Sequence, residues 1–188
     1  MFLVVGLGNI GSDYAKTRHN VGFVLADKFC GCLNLSFLYR ADISSSCAIG
    51  KKVILIKPAT WVNLSGEAVE QAVSVFSPEE IILIHDDMDI PLGSLKIKKG
   101  GGDGGHKGVR SVIQHIGEDF IRIRIGIGKP RGDVVNYVLG EFTKEEKIVI
   151  EQVIDVAIHA ILDIVENGLS YAMNKYNSHI EVKQDEGI

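Results

Sequence analysis

Cysteine, proline and tryptophan are all sparse in this chain, which has three, four and one of them in 188 residues. The cysteines Cys30, Cys32 and Cys47 are odd in number, the Cys30-Gly31-Cys32 spacing is too tight for a usual zinc knuckle, and no second pair follows. They read as idle or buried thiols of a reducing compartment, not as a disulfide framework. Long hydrophobic runs are missing too. Phe2 to Val5 is short and stops in glycines, unlike a signal peptide, and the apolar stretch from Ile148 to Val165 is broken by Glu151, Asp155, His159 and Asp163. A membrane span is therefore not expected. There is no overall excess of positive charge: the formal net charge is −4, so the whole molecule is not a basic nucleic-acid binder. Internal repeats, linkers and low-complexity tracts are also lacking.

What is present is a chain that can fill a core, 46% hydrophobic and of a length that favours one domain, residues 1–188. Phe2-Leu3-Val4-Val5 reads as a buried strand, and Val21 to Leu33 as a helix. Asn34 to Gly50 has room for a strand and a loop. Val53 to Ile56 is a strand before Pro58, and Ser65 to Phe76 a helix with apolar residues three and four apart. Ile81 to Ile84 and Leu95 to Lys99 read as strands. Val109 to Ile116 is a short helix closed by Gly117. Ile121 to Ile127 is an alternating strand with Arg122 and Arg124 on the face away from the isoleucines. Glu145 to Glu166 is a long helix stopped by Gly168, Ser170 to Asn177 a further one, and the polar tail from about Ser178 is expected to fray. The pattern predicts an α/β sandwich: one domain with a central mixed, mostly parallel, twisted sheet flanked by helices.

Charge is distributed unevenly. Between Lys96 and Arg131 nine basic residues face three acidic ones, which leaves an acidic remainder. Such a segment can steer a polyanion, or be an ordinary solvated surface.

Five places can carry chemistry. Gly6-Leu7-Gly8-Asn9-Ile10-Gly11 spells G-x-G-x-x-G, but no apolar helix follows it and no acid ends a second strand. A dinucleotide site is not supported, and the glycines instead shape a loop that carries Asn9. His19, in Thr17-Arg18-His19-Asn20, falls on a loop at the carboxyl edge of the first strand. His85-Asp86-Asp87-Met88-Asp89 ends another strand. A carboxylate there, such as Asp86, can hold the tautomer of His19 and raise its basicity, so that the ring takes a proton from water. Magnesium at Asp86, Asp87 and Asp89 is the competing reading, although adjacent strand residues point to opposite faces; turn chemistry before Pro91 is a third. Asn63 can donate to an oxyanion or bound carbonyl, or cap the next helix. Trp61 can offer a flat face to a base, or be core. Gly100 to Gly108, six glycines in nine with His106 and Lys107, can cradle an anion before a helix or act as a lid. It lacks the G-K-[ST] ending of a P-loop, and no G-x-S-x-G elbow offers a serine nucleophile.

Taken in order, Val5 to Asn9, Tyr14 with Thr17 to Asn20, Lys57-Pro58, Asn63 to Gly66, His85 to Asp89, Gly100 to Gly108 and Arg122 to Gly128 make the chain resemble bacterial peptidyl-tRNA hydrolase over about Leu3 to Asn177. The resemblance implies hydrolysis of the ester joining a peptide, or an N-blocked amino acid, to the tRNA 3′ end, which recycles tRNA from stalled translation. It implies His19 as the base and Asp86 as its support. Asn9 would tell blocked from free aminoacyl-tRNA, Asn63 would bind near the ester, and Tyr14 and Trp61 would contact tRNA, with His106 and Lys107 also on the substrate side. It further implies a cytoplasmic monomer that acts on peptidyl-tRNA with no metal, organic cofactor or membrane. Two positions depart from the family pattern. Ile10 replaces a proline and frees one φ angle. Lys107 replaces an asparagine, so a group that donates and accepts becomes one that only donates.

Overall fold

The computed structural model describes residues 1–177, so the expected fraying from Ser178 lies outside the described residues. Seven strands form one sheet: β1 (Phe2–Gly6), β2 (Leu38–Arg40), β3 (Ser45–Ile49), β4 (Val53–Pro58), β5 (Glu80–Asp87), β6 (Leu95–Lys99) and β7 (Ile121–Gly126). Their spatial order is β2-β3-β4-β1-β5-β7-β6. The four central strands β4, β1, β5 and β7 run parallel, and antiparallel pairings join β2, β3 and β6 to the two flanks. The sheet is thus mixed, as expected, with its parallel part at the centre.

Side-chain alternation along the strands divides the core in two. Val4, Ile82, Ile84 and Ile123 face one layer with Leu25 and Phe29 of α1 (Val21–Cys32) and Ile154, Ile158 and Ile161 of α5 (Lys144–Asn167). Leu3, Val5, Ile54, Ile56 and Leu83 face the other, with Val69 and Ala72 of α2 (Ser65–Phe76) and Val109 and Val112 of α3 (Lys107–Ile116). Two more helices, α4 (Val134–Val138) and α6 (Leu169–Tyr176), complete the described chain. No described helix is long and apolar enough to cross a membrane. All three cysteines are free thiols.

The G-x-G-x-x-G segment serves helix packing. A Cβ on Gly6 would lie 2.5 Å from the Gly22 carbonyl oxygen, and one on Gly22 would lie 2.5 Å from that of Leu7, so α1 approaches the end of β1 closely. A single 3-10 turn, Ser12–Tyr14, follows where a dinucleotide fold would start its helix.

Several boundaries, and one helix, differ from the sequence reading. β5 runs through Asp87, because its partner β7 stays in register with it to Gly126. His85 and Asp86 are therefore strand residues. α3 begins at Lys107, two residues early, because His106 caps it. The helix α4 had no counterpart in the sequence reading: five residues are too few for periodicity to register, and its one local signal is Asp133, whose carboxylate accepts from the Asn136 N–H.

Candidate active site

The carboxyl ends of β1 and β5, the start of α3 and the helix α4 surround a cavity of about 380 Å³. Ligands of open α/β sheets collect at this edge. His19 reaches it on the 3-10 turn Arg18–Asn20. The residues on either side hold that turn. The Asn20 side chain accepts from the Asn9 N–H at 2.8 Å and donates to the Asn9 carbonyl at 2.9 Å. Buried Arg18 donates to the Glu141 carbonyl and to the Glu146 carboxylate, each at 2.7 Å, and its guanidinium lies over the Tyr137 ring.

Asp86 is buried and receives two histidines. His19 Nδ1 lies 2.9 Å from Oδ1 and 3.1 Å from Oδ2, and His106 Nε2 lies 2.9 Å from Oδ1. The tautomers follow from the partners. His106 Nδ1 accepts from the Gly108 and Val109 N–H groups, as the cap of α3, so the hydrogen sits on Nε2 and is donated to Asp86. An ionised carboxylate only accepts, so His19 donates through Nδ1 and keeps the lone pair of Nε2 for the cavity it lines. Burial alone would raise the Asp86 pKa, but the charges and hydrogen bonds of His106 and His19 hold it well below the usual carboxylate range. Burial works against protonation of His19. The hydrogen bond and charge of Asp86 outweigh burial and an opposing Lys107, so its pKa stands above the ordinary value. His85 points elsewhere. Its Nδ1 donates to the Asp86 carbonyl at 2.8 Å, its Nε2 is buried without a partner, and burial followed by the charge of His106 pushes its pKa down to about 3.

Of the remaining sequence candidates, Asn9, Tyr14, Asn63, His106 and Lys107 all line the cavity. Asn9 Oδ1 accepts from the Val62 N–H at 2.9 Å, which turns its amide NH₂ away from that contact. Asn63 is exposed and caps nothing: the cap position of α2 is Leu64, without a side-chain bond. Trp61 lies outside the cavity lining. It is half exposed and meets Tyr14 edge to face at 5.7 Å, so the core alternative fails.

The acidic trio does not converge. Asp87 binds Arg124 at 2.8 Å, and Asp89 lies 3.6 Å from Lys129. The described group with metal-like spacing is His19, Asp86 and His106, whose ligand atoms lie within 4.8 Å of one another. Those atoms face each other through hydrogen bonds, and His106 has no nitrogen to spare without uncapping α3. The glycine loop is likewise no anion cradle at its helix end, since Gly108 and Val109 already donate to His106. Much of the basic segment is internally committed: Lys99 pairs with Glu80, Arg110 with Asp103, and buried Arg122 donates to the carbonyls of Gly101 and Gly102.

Sequence reasoning missed the apolar wall of Val134, Val135, Val138 and Leu139, and the anchoring by Arg18. No serine, threonine or cysteine is among the residues that line the cavity.

A buried carboxylate joined to an imidazole whose lone pair opens to a cavity, with no serine, threonine or cysteine in the lining, is an arrangement that suits a hydrolase on a mixed α/β sheet. The profile of the family described as peptidyl-tRNA hydrolase matches residues 3–185, and the chain belongs to that family. It is 47% identical over 184 residues to the peptidyl-tRNA hydrolase of Clostridium botulinum, covering 94% of this chain and 97% of that one. It is 48% identical over 185 residues to that of Thermodesulfovibrio yellowstonii, covering 94% and 99%. The crystal structure of the peptidyl-tRNA hydrolase from Acinetobacter baumannii superposes with a TM-score of 0.91 at 34% identity, over 96% of each chain.

Proposed function

We propose that this member of the family hydrolyses the ester between the peptide, or an N-blocked amino acid, and the tRNA 3′ end, using a water that His19 deprotonates. The 2.9 Å contact between His19 Nδ1 and Asp86, with Nε2 left for the cavity, carries the reading. Asp86 fixes the tautomer and stabilises the imidazolium that forms when the proton is taken. His106 holds Asp86 from the other side. The water attacks the ester carbonyl, and His19 returns the proton to the departing ribose oxygen. Asn9 and Asn63 offer amide donors to the peptide portion and the developing oxyanion. Tyr14 and the exposed Trp61 offer faces to the terminal nucleotides.

The enzyme acts as a cytoplasmic monomer on the acceptor end of peptidyl-tRNA, with residues 1–188 as one domain and no metal or organic cofactor. The packing of both core layers on one sheet supports a single unit. The decisive test is His19→Ala, assayed with N-acetyl-aminoacyl-tRNA. Turnover should fall by about 10²–10⁴-fold while tRNA still binds in a filter assay. Near-normal turnover would end the scheme.

A further inference from the structure

Four aspartates line the cavity, and each has a partner. Asp86 has its two imidazole donors, Asp87 has Arg124, Asp103 has Arg110, and Asp89 has Lys129 nearby. Lys107 is the one lysine or arginine among the lining residues, it is exposed, and no described residue forms an ion pair with it. It stands at the first position of α3, where the helix presents its own positive end, and the first turn holds no acid to offset it. A cation there is unfavourable for the helix. The site thus carries one ammonium that its own packing neither neutralises nor rewards, a local conflict of the kind expected where a ligand supplies what is missing.

We propose that Lys107 is a specificity-determining residue that binds an anionic oxygen of the substrate, namely the phosphodiester preceding the terminal nucleotide of the tRNA. An oxyanion forming on the ester would be the other source of such an oxygen. The geometry favours the phosphate. Lys107 is a flexible side chain at an exposed rim with nothing to brace it, whereas an oxyanion calls for fixed donors in a shielded place. The Gly108 and Val109 N–H groups are spent on His106, which leaves the Lys107 ammonium as the charged donor for the anion. The proposal rests on the hydrolase reading above, and it can fail while that reading stands.

The test uses Lys107→Met and Lys107→Arg with two substrates: N-acetyl-aminoacyl-tRNA, and the same acyl group esterified to the 3′ oxygen of adenosine, which has no phosphodiester. Loss of one charge-assisted contact should raise KM for the tRNA substrate about tenfold relative to the adenosine ester in Lys107→Met, and much less in Lys107→Arg. The slope of log KM against log salt for the tRNA substrate should fall by roughly 0.7 in Lys107→Met. The acid limb of the adenosine-ester profile should move to higher pH, because the lysine charge opposes protonation of His19. An equal fall in kcat on both substrates would transfer Lys107 to the oxyanion and overturn the proposal. An unchanged KM ratio and salt slope would overturn it as well. His19→Ala, inactive on both substrates, reports separately on the base.

Discussion

Replacing Asp86 by asparagine tests the tautomer argument while hardly changing shape. In the native site one carboxylate accepts from two ring N–H groups, His19 Nδ1 at 2.9 Å and His106 Nε2 at 2.9 Å. An asparagine has one oxygen and one NH₂ to set against those two donors. His106 keeps its hydrogen on Nε2 as long as it caps α3, so it claims the oxygen. The NH₂ then faces His19 Nδ1, which must accept, and the ring hydrogen moves to Nε2. The base loses the lone pair that faces the cavity. The imidazolium loses its counter-charge as well. Disabling general-base action is worth roughly 10²–10⁴-fold, about 3–5 kcal/mol of barrier. We therefore expect kcat for N-acetyl-aminoacyl-tRNA to fall by about 10³–10⁴-fold in Asp86→Asn, with KM changed much less. The pH profile adds a sign. A base must be neutral to act, and the native pKa of His19 is raised, so wild-type kcat/KM should fall with acid at a pH above the ordinary histidine value of about 6.5. Without Asp86 the effect of burial is unopposed, and the residual activity should persist to lower pH. A variant within about threefold of wild type, or an acid limb that moves upward, would refute the reasoning. Nitrogen NMR of the two imidazoles reports the tautomers independently.

Two further outcomes follow from buried groups. His85 has a folded pKa of about 3 against about 6.5 when unfolded, so the unfolded chain takes up the proton first as pH drops. The stability tied to neutral His85 is complete above about pH 6.5 and is lost as pH falls toward 3, roughly 2 kcal/mol by pH 5. Urea midpoints at pH 7 and pH 5 should show that loss in wild type and much less of it in His85→Leu; equal losses would refute it. Arg18→Met removes the ion pair to Glu146 and the bond to the Glu141 carbonyl that hold the turn carrying His19, so we expect about 2–4 kcal/mol lower stability together with a lower kcat at temperatures where the variant is fully folded. A variant that loses stability but keeps kcat would confine Arg18 to a structural role.

The parallel centre of the sheet was legible because its strands are short apolar runs cut off by polar or glycine residues, and each helix that covers them repeats its apolar residues at three and four. Ser65–Phe76 and Leu95–Lys99 fall where periodicity and stop signals place them. Boundaries set by tertiary partners were not legible. The run of isoleucines ends at Ile84, yet β5 continues because β7 offers backbone groups as far as Gly126. The three-residue strand β2 is mostly exposed and pairs only with β3, so neither alternation nor hydrophobicity marks it. The acidic cluster shows the same limit at the site. Sequence spacing left Asp86, Asp87 and Asp89 as a candidate metal set, and strand alternation together with Arg124 and Lys129 sends them different ways.

His106 shows why the site itself was only half legible. A histidine in a glycine loop reads as a substrate contact or as a passenger on a lid. Its chemistry here depends on two distances that no spacing rule contains: 3.1 Å from the Gly108 N–H to Nδ1, and 2.9 Å from Nε2 to Asp86. The first determines which nitrogen bears the hydrogen, and the second passes that choice to the carboxylate. A helix cap thereby reaches the base. With Nδ1 of His106 accepting from α3, Asp86 must accept from His106 and is kept ionised, His19 must donate to Asp86, and the lone pair of His19 Nε2 has only the cavity to serve. Moving the start of α3 by one residue would unlock that sequence of hydrogen bonds without altering a single residue that faces substrate. The glycines before His106 therefore act through the cap they permit, since the Gly108 and Val109 N–H groups already donate to His106.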